Sequence, residues 1–531
     1  MSSPLPSRPA TLARVALLAI VLLVSPARAA GPSVLPPDHG RELVAYFNRM
    51  EDENIAQAIP NADSWDWFRD NAPRLDCPQD NFAEIFAYRW WTLRKHIRKT
   101  PVGFAFTEFL VDRSYADQYN LISCALGHHI HEARWLADPH YLDQAVHVWY
   151  RGNEGGPMRK LRSFSSWTAA ALWAKYQADG DREFLVDMLP DLVAEYRAWQ
   201  EERGLPGGLF WQHDVKDGME EQISGGRRVK NIRPTINSYM YGNAVALSEI
   251  ARLAGEEALS SEFAARAGEL RVLVHGILWN EERQFFETVL EENGTHAGVR
   301  EAIGFIPWYF HLPKPGHEEA WRQLTDEDGF WAPFGLTTAE RRHPQFRKRG
   351  CCQCEWDGAV WPFATAQTLH AMANLLNDYE QDVVDRQDYF AALERYVESQ
   401  YYRGRPYIGE YLDESTGYWL KGDQERSRYY NHSTFNDLVI TGLVGLRPRA
   451  DDTLELNPLL PAGRWDWFCL DALPYHGRTL TIVWDRSGER YKLGPGLRLL
   501  VDGKQVAHSE RLERLTGPLP PAPDEADTDD P

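Results

Sequence analysis

Cysteine is scarce in this chain, with six residues among 531. The six are Cys77, Cys124, Cys351, Cys352, Cys354 and Cys469. Proteins that rely on disulfides for their framework carry cysteine at a much higher density, so a disulfide-framed scaffold is excluded. One or two bridges remain compatible with this number.

Positive charge is also in short supply. The sequence has 57 Lys and Arg residues against 77 Asp and Glu residues, a formal net charge of -20. A nucleic-acid-binding protein needs a basic surplus to neutralise phosphates, and this composition supplies none. We therefore expect no nucleic-acid partner, and a neutral or mildly charged partner fits the composition better.

Long apolar runs are missing apart from one near the N-terminus, at residues 15–24. Arg8 and Arg14 lie before this run, and the small-x-small pattern Ala27-Arg28-Ala29 follows it. This order is typical of a secretory signal peptide, which we predict over residues 1–29. The mature protein would then be secreted or periplasmic, with no membrane span. An uncleaved anchor is the alternative, although the run is short for crossing a bilayer.

The region from residue 63 to 450 has apolar residues at helical spacing and no strand–helix alternation. Gly180, residues 204–208 and Gly255 follow three of the predicted helices, where glycine commonly ends a helix. The predicted helices cover residues 80–97, 121–136, 141–150, 166–179, 183–202, 237–254, 260–279, 302–310, 363–376, 385–401 and 433–443. This number of helices predicts an all-α (α/α)6 toroid of six helical hairpins.

The pattern changes after residue 450, where apolar and polar residues alternate around turns. The predicted strands cover residues 453–457, 465–470, 479–485, 497–502 and 504–508. The sequence thus predicts an N-terminal lead-in over 30–62, the helical domain over 63–450 and a small β domain over 451–516. Residues 517–531 are Pro-rich and acidic, which predicts a disordered tail.

Two short segments carry carboxylates beside tryptophans on predicted loops. Residues 354–363 read Cys-Glu-Trp-Asp-Gly-Ala-Val-Trp-Pro-Phe, and residues 409–419 read Gly-Glu-Tyr-Leu-Asp-Glu-Ser-Thr-Gly-Tyr-Trp. Aromatic rings suit the apolar faces of sugars, and carboxyl groups move protons across a glycosidic bond. The sequence is also rich in aromatics, with 20 Trp and 23 Tyr. These segments predict a glycosidase.

The phrase Glu355-Trp-Asp-Gly-Ala-Val-Trp-Pro, with Gly-Glu-Tyr-Leu-Asp further along, resembles six-hairpin glycosidases. The group contains trehalases, processing α-glucosidases of glycoside hydrolase family 63 and mannosylglycerate hydrolases, and the resemblance extends over most of residues 56–449. It implies a hydrolase that needs no cofactor and acts on an oligosaccharide or glycan. It also implies two carboxylates, a general acid and a base for the attacking water, with inversion at the anomeric carbon.

The resemblance assigns the acid to the stretch that begins at Asp217 and reads Asp-Gly-Met-Glu-Glu-Gln-Ile-Ser-Gly. Glu220 stands at the acid position, where relatives have aspartate, so the side chain is one methylene longer. Asp217, with Asp214 behind it, is the reserve candidate for the acid. Glu410 of Gly-Glu-Tyr-Leu-Asp takes the position of the base. From the residues alone, the alternatives are that Glu220 or Glu221 caps the helix that follows, and that Glu410 or Asp413 is a solvated turn carboxylate.

Aromatic and polar residues beside these loops are the candidates for binding sugar. They are Trp211, Arg233, Asn237, Tyr239, Trp356, Asp357, Trp361, Trp419, Tyr430, His432 and His128. Core packing is the alternative for the tryptophans, helix capping for Asp357, and structural hydrogen bonds for the remaining polar groups.

A run of histidines at residues 128–131 invites a metal interpretation, but it lacks the His-x-x-x-His spacing that puts two imidazoles on one helix face. We therefore predict no metal, and we expect His128 to lie in a ring of hydrogen bonds. Cys351, Cys352, Cys354 and Glu355 leave open a zinc–cysteine retaining mechanism like that of β-L-arabinofuranosidases, although four ligands crowded into five residues converge poorly on one ion.

Two further functions remain open on a toroid of this kind. A polysaccharide lyase would use Tyr239 or His432 as its base and Arg233 to neutralise a uronic acid. A glycan-binding protein would keep the pocket without the catalysis.

Overall fold

Helices dominate the chain up to about residue 450 and strands dominate the remainder, in a computed structural model that describes residues 33–348 and 354–521. The predicted signal peptide, Cys351, Cys352 and residues 522–531 lie outside the described residues. A helix-rich body followed by a β-rich C-terminal region agrees with the predicted fold class.

Each predicted helix overlaps an α-helix, although α4, α10 and α14 are shorter than predicted, and α1, α2 and α11 were not predicted. The α-helices are α1 (Arg41–Arg49), α2 (Ser64–Asn71), α3 (Asp80–Lys95), α4 (Leu126–Ala133), α5 (His140–Arg151), α6 (Thr168–Asp179), α7 (Arg182–Arg203), α8 (Pro234–Ala254), α9 (Glu257–Ile277), α10 (Ile306–Tyr309), α11 (Arg322–Thr325), α12 (Pro362–Asp378), α13 (Arg386–Ser399) and α14 (Asn436–Leu438). A π-helical turn over Val439–Leu443 continues α14.

Strands are short in the helical body and longer after residue 450. They are β1 (Arg74–Asp76), β2 (Ile97–Thr100), β3 (Gly103–Phe106), β4 (Trp211–Gln212), β5 (Asn231–Ile232), β6 (Trp279–Asn280), β7 (Phe285–Phe286), β8 (Val289–Leu290), β9 (Trp331–Ala332), β10 (Gly335–Leu336), β11 (Tyr401–Tyr402), β12 (Arg405–Pro406), β13 (Thr453–Leu456), β14 (Trp467–Tyr475), β15 (Arg478–Asp485), β16 (Gly496–Val501), β17 (Lys504–Ser509) and β18 (Leu515–Pro518).

Local sequence explains where several helices begin and end. Pro234 and Pro362 are the first residues of α8 and α12, a position where proline loses no hydrogen bond. Gly180 and Gly255 follow α6 and α8 with φ of 73° and 82°, the left-handed conformation that glycine adopts without strain. Among the described helices, none is both long and apolar enough to cross a membrane.

Six of the described helices contact one another in a closed order. Helix α4 contacts α6, α6 contacts α8, α8 contacts α10, α10 contacts α12, α12 contacts α14, and α14 contacts α4. In the chain, each of the six follows another helix, from α3 before α4 to α13 before α14. We call these six helices the helix ring.

Four aromatic side chains pack against one another within the helix ring, and we call them the aromatic layer. Trp167 contacts His128, Tyr239 and Phe363 with ring centroids 5.1, 4.7 and 6.1 Å apart, and His128 lies 4.4 Å from Phe363. All four are at most 2% exposed. The helices therefore pack around large, buried aromatic side chains.

The C-terminal region forms an antiparallel sheet in the order β1-β14-β15-β16-β17, with β13 and β18 paired separately. Strand β1 comes from the start of the helical body and pairs Arg74 with Asp471. Strand β18 pairs Gly517 with Leu454 and Pro518 with Thr453. The predicted tail was therefore wrong at its first two residues, because β13 offers them backbone partners.

The described cysteines are free thiols. Cys77, Cys124 and Cys469 are buried and Cys354 is half-buried, and no disulfide joins any of these four. Packing and hydrogen bonding, rather than cross-links among these residues, therefore hold this part of the chain together.

Replacing Gly127 by alanine should destabilise the protein. A Cβ at this position would lie 2.1 Å from the Trp167 ring, and overpacking of this kind costs about 1–3 kcal/mol. Gly268→Ala in α9 is the matched control, because no atom lies within 4 Å of its Cβ and alanine favours helix by about 1 kcal/mol. Urea unfolding measures both, and equal stability of Gly127→Ala and the wild type would contradict this packing.

Candidate active site

The two carboxylate-and-tryptophan segments lie side by side. Val360 and Leu412 exchange two backbone hydrogen bonds of 3.0 Å, and Trp356 meets the ring of Tyr411 edge-on at 5.0 Å. Segments that are far apart in the chain thus form one continuous wall, in front of the start of α12.

Arg347 ties the two segments together. Its guanidinium forms ion pairs with Glu355, with Glu414 at 3.2 Å and with Asp413 at 3.5 Å. Its amide donates to the main-chain oxygen of Asp357, whose side chain is fully buried. Because these carboxylates neutralise one cation, their arrangement favours a structural role for them.

The loop that carries Glu220 reaches this wall from another part of the chain. The Cys354 thiol donates to Oε1 of Glu220 over 3.4 Å. Gly218 and Glu221 both have left-handed backbone, with φ of 76° and 70°. Such a conformation is strained for glutamate, and strain of this kind concentrates at functional sites. A Cβ on Gly218 would lie 3.8 Å from the Trp361 ring, so the loop packs closely against the wall.

A buried ion pair anchors the same loop. Arg233 Nε donates to Oδ2 of Asp217 over 2.7 Å, and both side chains have zero exposure. Ser165 donates to the other oxygen, Oδ1, over 2.5 Å. Both oxygens of Asp217 are thus engaged inside the protein, an arrangement that suits positioning of the loop better than proton transfer to a substrate.

Glu410 lies in the second segment, and one oxygen of its carboxylate forms ion pairs with two cationic side chains. Lys421 and Arg426 each contact Oε2 over 2.8 Å, and the carboxylate is buried. The backbone is fixed as well, since the Glu410 amide donates to Ser427 over 3.2 Å and its carbonyl oxygen lies 3.2 Å from Nε2 of His432. Neither cation was predicted from the sequence, although each lies on the same loop as Glu410.

Glu220 has a different electrostatic environment from Glu410. Burial raises the pKa of Glu220, and the charge of Glu410 raises it further. The Cys354 thiol and Arg227 oppose these effects only in part, because Arg227 forms its ion pair with Glu221. The pKa shift favours the protonated acid at Glu220.

A third carboxyl group, Glu108, completes the site and was not predicted. Burial raises its pKa to about 8, and the nearby charges of Glu410 and Glu220 act in the same direction. Tyr430 donates to its Oε1 over 2.7 Å, while Oε2 is buried and has no partner among the described residues. Glu108 follows the short strand β3, where no sequence pattern distinguished it. We call Glu108, Glu220 and Glu410 the three-carboxyl site.

Several predicted sugar-binding aromatics lie beside this site. Trp356 stacks on Trp361 and Trp361 on Phe363, which was not predicted to bind sugar, with centroids 4.2 and 4.5 Å apart. Tyr430 meets His432 edge-on at 4.1 Å. Burial lowers the pKa of His432 to about 3, so its imidazole is neutral.

Two predicted tryptophans make contacts with other parts of the protein. Trp419 is fully buried, and its indole N–H donates to the carbonyl oxygens of Ser399 and Tyr401 over 3.2 and 3.1 Å. Trp211 is half-buried, with the cations of Arg203 and Lys230 lying 4.6 and 4.2 Å from its ring centroid. Both arrangements are typical of structural tryptophans.

Asn237 and Tyr239 form hydrogen bonds inside the protein. Asn237 accepts the Phe210 amide over 2.8 Å and donates to the carbonyl oxygens of Phe210 and Arg233, both over 2.9 Å. The Tyr239 hydroxyl accepts from Gln367 over 2.6 Å and belongs to the aromatic layer. These contacts hold α8 against its neighbours.

His128 does not lie in the expected ring of hydrogen bonds, so that prediction was wrong. Neither ring nitrogen has a hydrogen-bond partner among the described residues. Burial lowers its pKa well below the usual value, which keeps the ring neutral. A neutral imidazole packs as an aromatic ring between Trp167 and Phe363.

Cys354 is placed to donate rather than to attack. Burial raises the pKa of its thiol, and the neighbouring charge of Glu220 raises it further. A thiol in this state is a poor nucleophile. Cys351 and Cys352, the other thiols of the zinc–cysteine alternative, lie outside the described residues.

Comparison with known proteins adds solved structures and one curated relative. A structure named "Sialidase" is 61% identical with a TM-score of 0.90, and the match covers 91% of this chain and 45% of that one. A glucose complex of mannosylglycerate hydrolase from Thermus thermophilus is 15% identical with a TM-score of 0.50, covering 66% of this chain and 98% of that one. An uncharacterized protein of Borreliella burgdorferi is 24% identical over 183 residues, 34% of this chain and 38% of its own length. The chain thus spans less than half of the sialidase-named and Borreliella proteins.

Two family models match the sequence. The C-terminal domain of glycosyl hydrolase family 65 matches residues 446–508, the β-rich region. The mannosylglycerate hydrolase MGH1-like glycoside hydrolase domain matches residues 118–433, more than half of the chain and a span that contains Glu220 and Glu410. The chain therefore belongs to the MGH1-like glycoside hydrolase family.

Proposed function

We propose that this protein hydrolyses a glycosidic bond of a neutral sugar with inversion, using Glu220 as the acid and Glu410 as the base. The observation that carries the proposal is the contrast between two buried carboxyl groups in electrostatic range of each other. Burial and the charge of Glu410 raise the pKa of Glu220, whereas Glu410 pairs with Lys421 and Arg426. Environments that differ in this way separate an acid from a base.

The reaction follows from these two states. Glu220 gives its proton to the glycosidic oxygen as the bond to the anomeric carbon breaks. Glu410 takes a proton from water, whose oxygen attacks the same carbon from the opposite face. The products are the free alcohol and a sugar of inverted configuration, and a later proton transfer through water restores both carboxyl groups.

Glu108 supports the choice of a neutral sugar. Since its pKa is raised to about 8, Glu108 is a neutral acid at pH 7 and can donate a hydrogen bond to a sugar hydroxyl. A sugar that carries its own carboxylate would need a cation to pair with it, and Lys421 and Arg426 already bind Glu410. The same argument disfavours sialic acid, the sugar that the name of the 61% identical structure suggests, and the uronic acid of a lyase.

We also propose that the helix ring is the predicted (α/α)6 toroid. Its closed order of contacts, and the alternation of its helices with α3, α5, α7, α9, α11 and α13, support this fold. The loops that precede α8, α12 and α14 supply Glu220, Trp361 and His432, so the site faces the N-terminal ends of these helices.

Export to the periplasm or medium remains part of the proposal, and cell fractionation tests it.

Proton NMR of the first-released sugar tests the stereochemistry. We expect the anomer opposite to that of the substrate, observed before mutarotation equilibrates the two forms. Neutral aryl glycosides and short oligosaccharides are the substrates to screen. Release of the same anomer would contradict the two-carboxylate scheme and favour a covalent intermediate, with a cysteine as one candidate nucleophile.

Glutamine substitutions should distinguish the acid from the base. Glu410→Gln should lower kcat about 100-fold or more for every substrate, because no group then takes the proton from water. Glu220→Gln should lower kcat about 100-fold for an alkyl glycoside but much less for a nitrophenyl glycoside, whose leaving group needs little protonation.

An exposed glutamate provides the control for these substitutions. Glu425→Gln changes an exposed residue on the Glu410 loop. It should keep kcat within about threefold of the wild type, well inside the general-acid effect. Equal losses of Glu220→Gln on both classes of leaving group would remove its assignment as the acid.

Because the pKa of Glu108 is raised, the free energy of unfolding should fall as pH rises from about 4.5 to about 8. Its carboxyl stays protonated in the folded state over this window and ionises in the unfolded state, so unfolding releases a proton. The contribution falls by about 1.4 kcal/mol per pH unit. Glu108→Gln should lack this loss, so its stability relative to the wild type should rise with pH. Urea unfolding across this pH range measures it, and a constant difference would rule out the raised pKa.

A further inference from the structure

Two histidines and an aspartate each place one polar side-chain atom close to those of the other two, within the helix ring. Oδ2 of Asp437 lies 3.7 Å from Nδ1 of His131 and 3.8 Å from Nδ1 of His370. All three atoms lie within 4.8 Å of one another. The residues come from α4, α12 and α14, so this cluster forms only when the three helices meet.

The two oxygens of Asp437 have different surroundings. Oδ1 accepts from Arg134 over 2.7 and 3.1 Å and from the indole N–H of Trp135 over 2.8 Å. Oδ2 is buried without a hydrogen-bond partner among the described residues, and so is Nδ1 of His131. Distances of 3.7 and 3.8 Å are too long for direct hydrogen bonds. A carboxylate oxygen and an imidazole nitrogen thus converge on a point where neither is satisfied by a direct hydrogen bond.

The cluster opens onto a cavity of about 890 Å³, lined in part by His131, Arg134, His370 and Thr441. Other charged groups of this cavity are already paired, since Arg447 contacts Asp378 over 2.7 Å and Arg449, Arg447 and Arg514 converge on Glu455. The other charged groups of the cavity thus form ion pairs with one another, whereas the cluster keeps polar atoms that make no direct hydrogen bond.

We propose that His131, His370 and Asp437 bind a divalent transition-metal ion of the zinc class. Two imidazoles and one carboxylate are ligands that such ions prefer, at about 2.0–2.2 Å from the metal. Small movements of the three side chains bring their atoms to this distance, and water from the cavity fills the open position. Arg134 and Trp135 hold the carboxylate from its other oxygen, as outer-shell partners of metal ligands do.

The geometry of this site explains why residues 128–131 alone did not predict it. The ligands are one histidine of that run and two residues from distant helices. An ion held by α4, α12 and α14 would fasten together three helices of the ring, and its binding would stabilise the folded state. The site is independent of the proposed hydrolysis, so failure of either proposal leaves the other unaffected.

Titration of the purified full chain, freed of metal by chelation and dialysis, tests the site with Zn²⁺ and Co²⁺ as probes. We expect one ion per chain by calorimetry, a rise in Tm with Zn²⁺, and a Co²⁺ absorption spectrum of nitrogen and oxygen ligands. His370→Ala should weaken binding at least about tenfold and abolish the rise in Tm. His131→Gln should do the same, and agreement of the two variants guards against misfolding of either one.

His311→Ala is the matched control, because His311 lines the same cavity but pairs with Asp378 over 2.8 Å. It should bind Zn²⁺ within about twofold of the wild type, since no ligand is lost. The proposal is overturned if the wild type binds no ion, or if both ligand variants bind as tightly as the wild type. A thiolate-to-cobalt charge-transfer band would also overturn it, by assigning the ion to cysteines.

Discussion

Close packing of the aromatic layer is the constraint on which the rest of this molecule depends. A ring of helices needs large side chains between them, and His128, Trp167, Tyr239 and Phe363 fill this space with almost no exposure. Gly127 allows Trp167 to approach α4 because a Cβ there would collide with the indole. His128 contributes as a neutral ring, since burial lowers its pKa well below the usual value. Close packing of this kind resists adjustment, so the ends of the loops that begin at this layer are held in fixed positions.

Burial of charge then decides the chemistry at the three-carboxyl site. Lys421 and Arg426 both bind Glu410, while Glu108 and Glu220 have no cation bonded to their carboxyl groups in the described structure. A buried carboxyl without a cation holds its proton, which is the state that a general acid or a hydrogen-bond donor requires. The distribution of two cations among three acids thus sets the proposed roles without any metal or cofactor in the proposed steps.

Local sequence predicted the helices well, because proline starts, glycine stops and helical spacing act over a few residues, as at Pro362 and Gly255. The resemblance brought together Glu220, Trp361 and Glu410, and the structure joins the loops of the last two through Val360 and Leu412. Glu108 escaped prediction because its significance comes from burial and from Tyr430, which lies far along the chain. Trp419 and Asn237 were overestimated for the converse reason: a sequence shows the residue type but not the internal partners that already occupy it.

Strand β1 has a consequence for the order in which the protein can fold. It pairs with β14, so Arg74 finds its partner at Asp471, after the whole helical body has been synthesised. The residues of β1 are therefore synthesised long before those of β14, and β1 has no partner strand while the helices form. An exposed strand edge invites pairing with other chains. The sheet that contains β1 can therefore be completed only after the chain has been synthesised as far as β14.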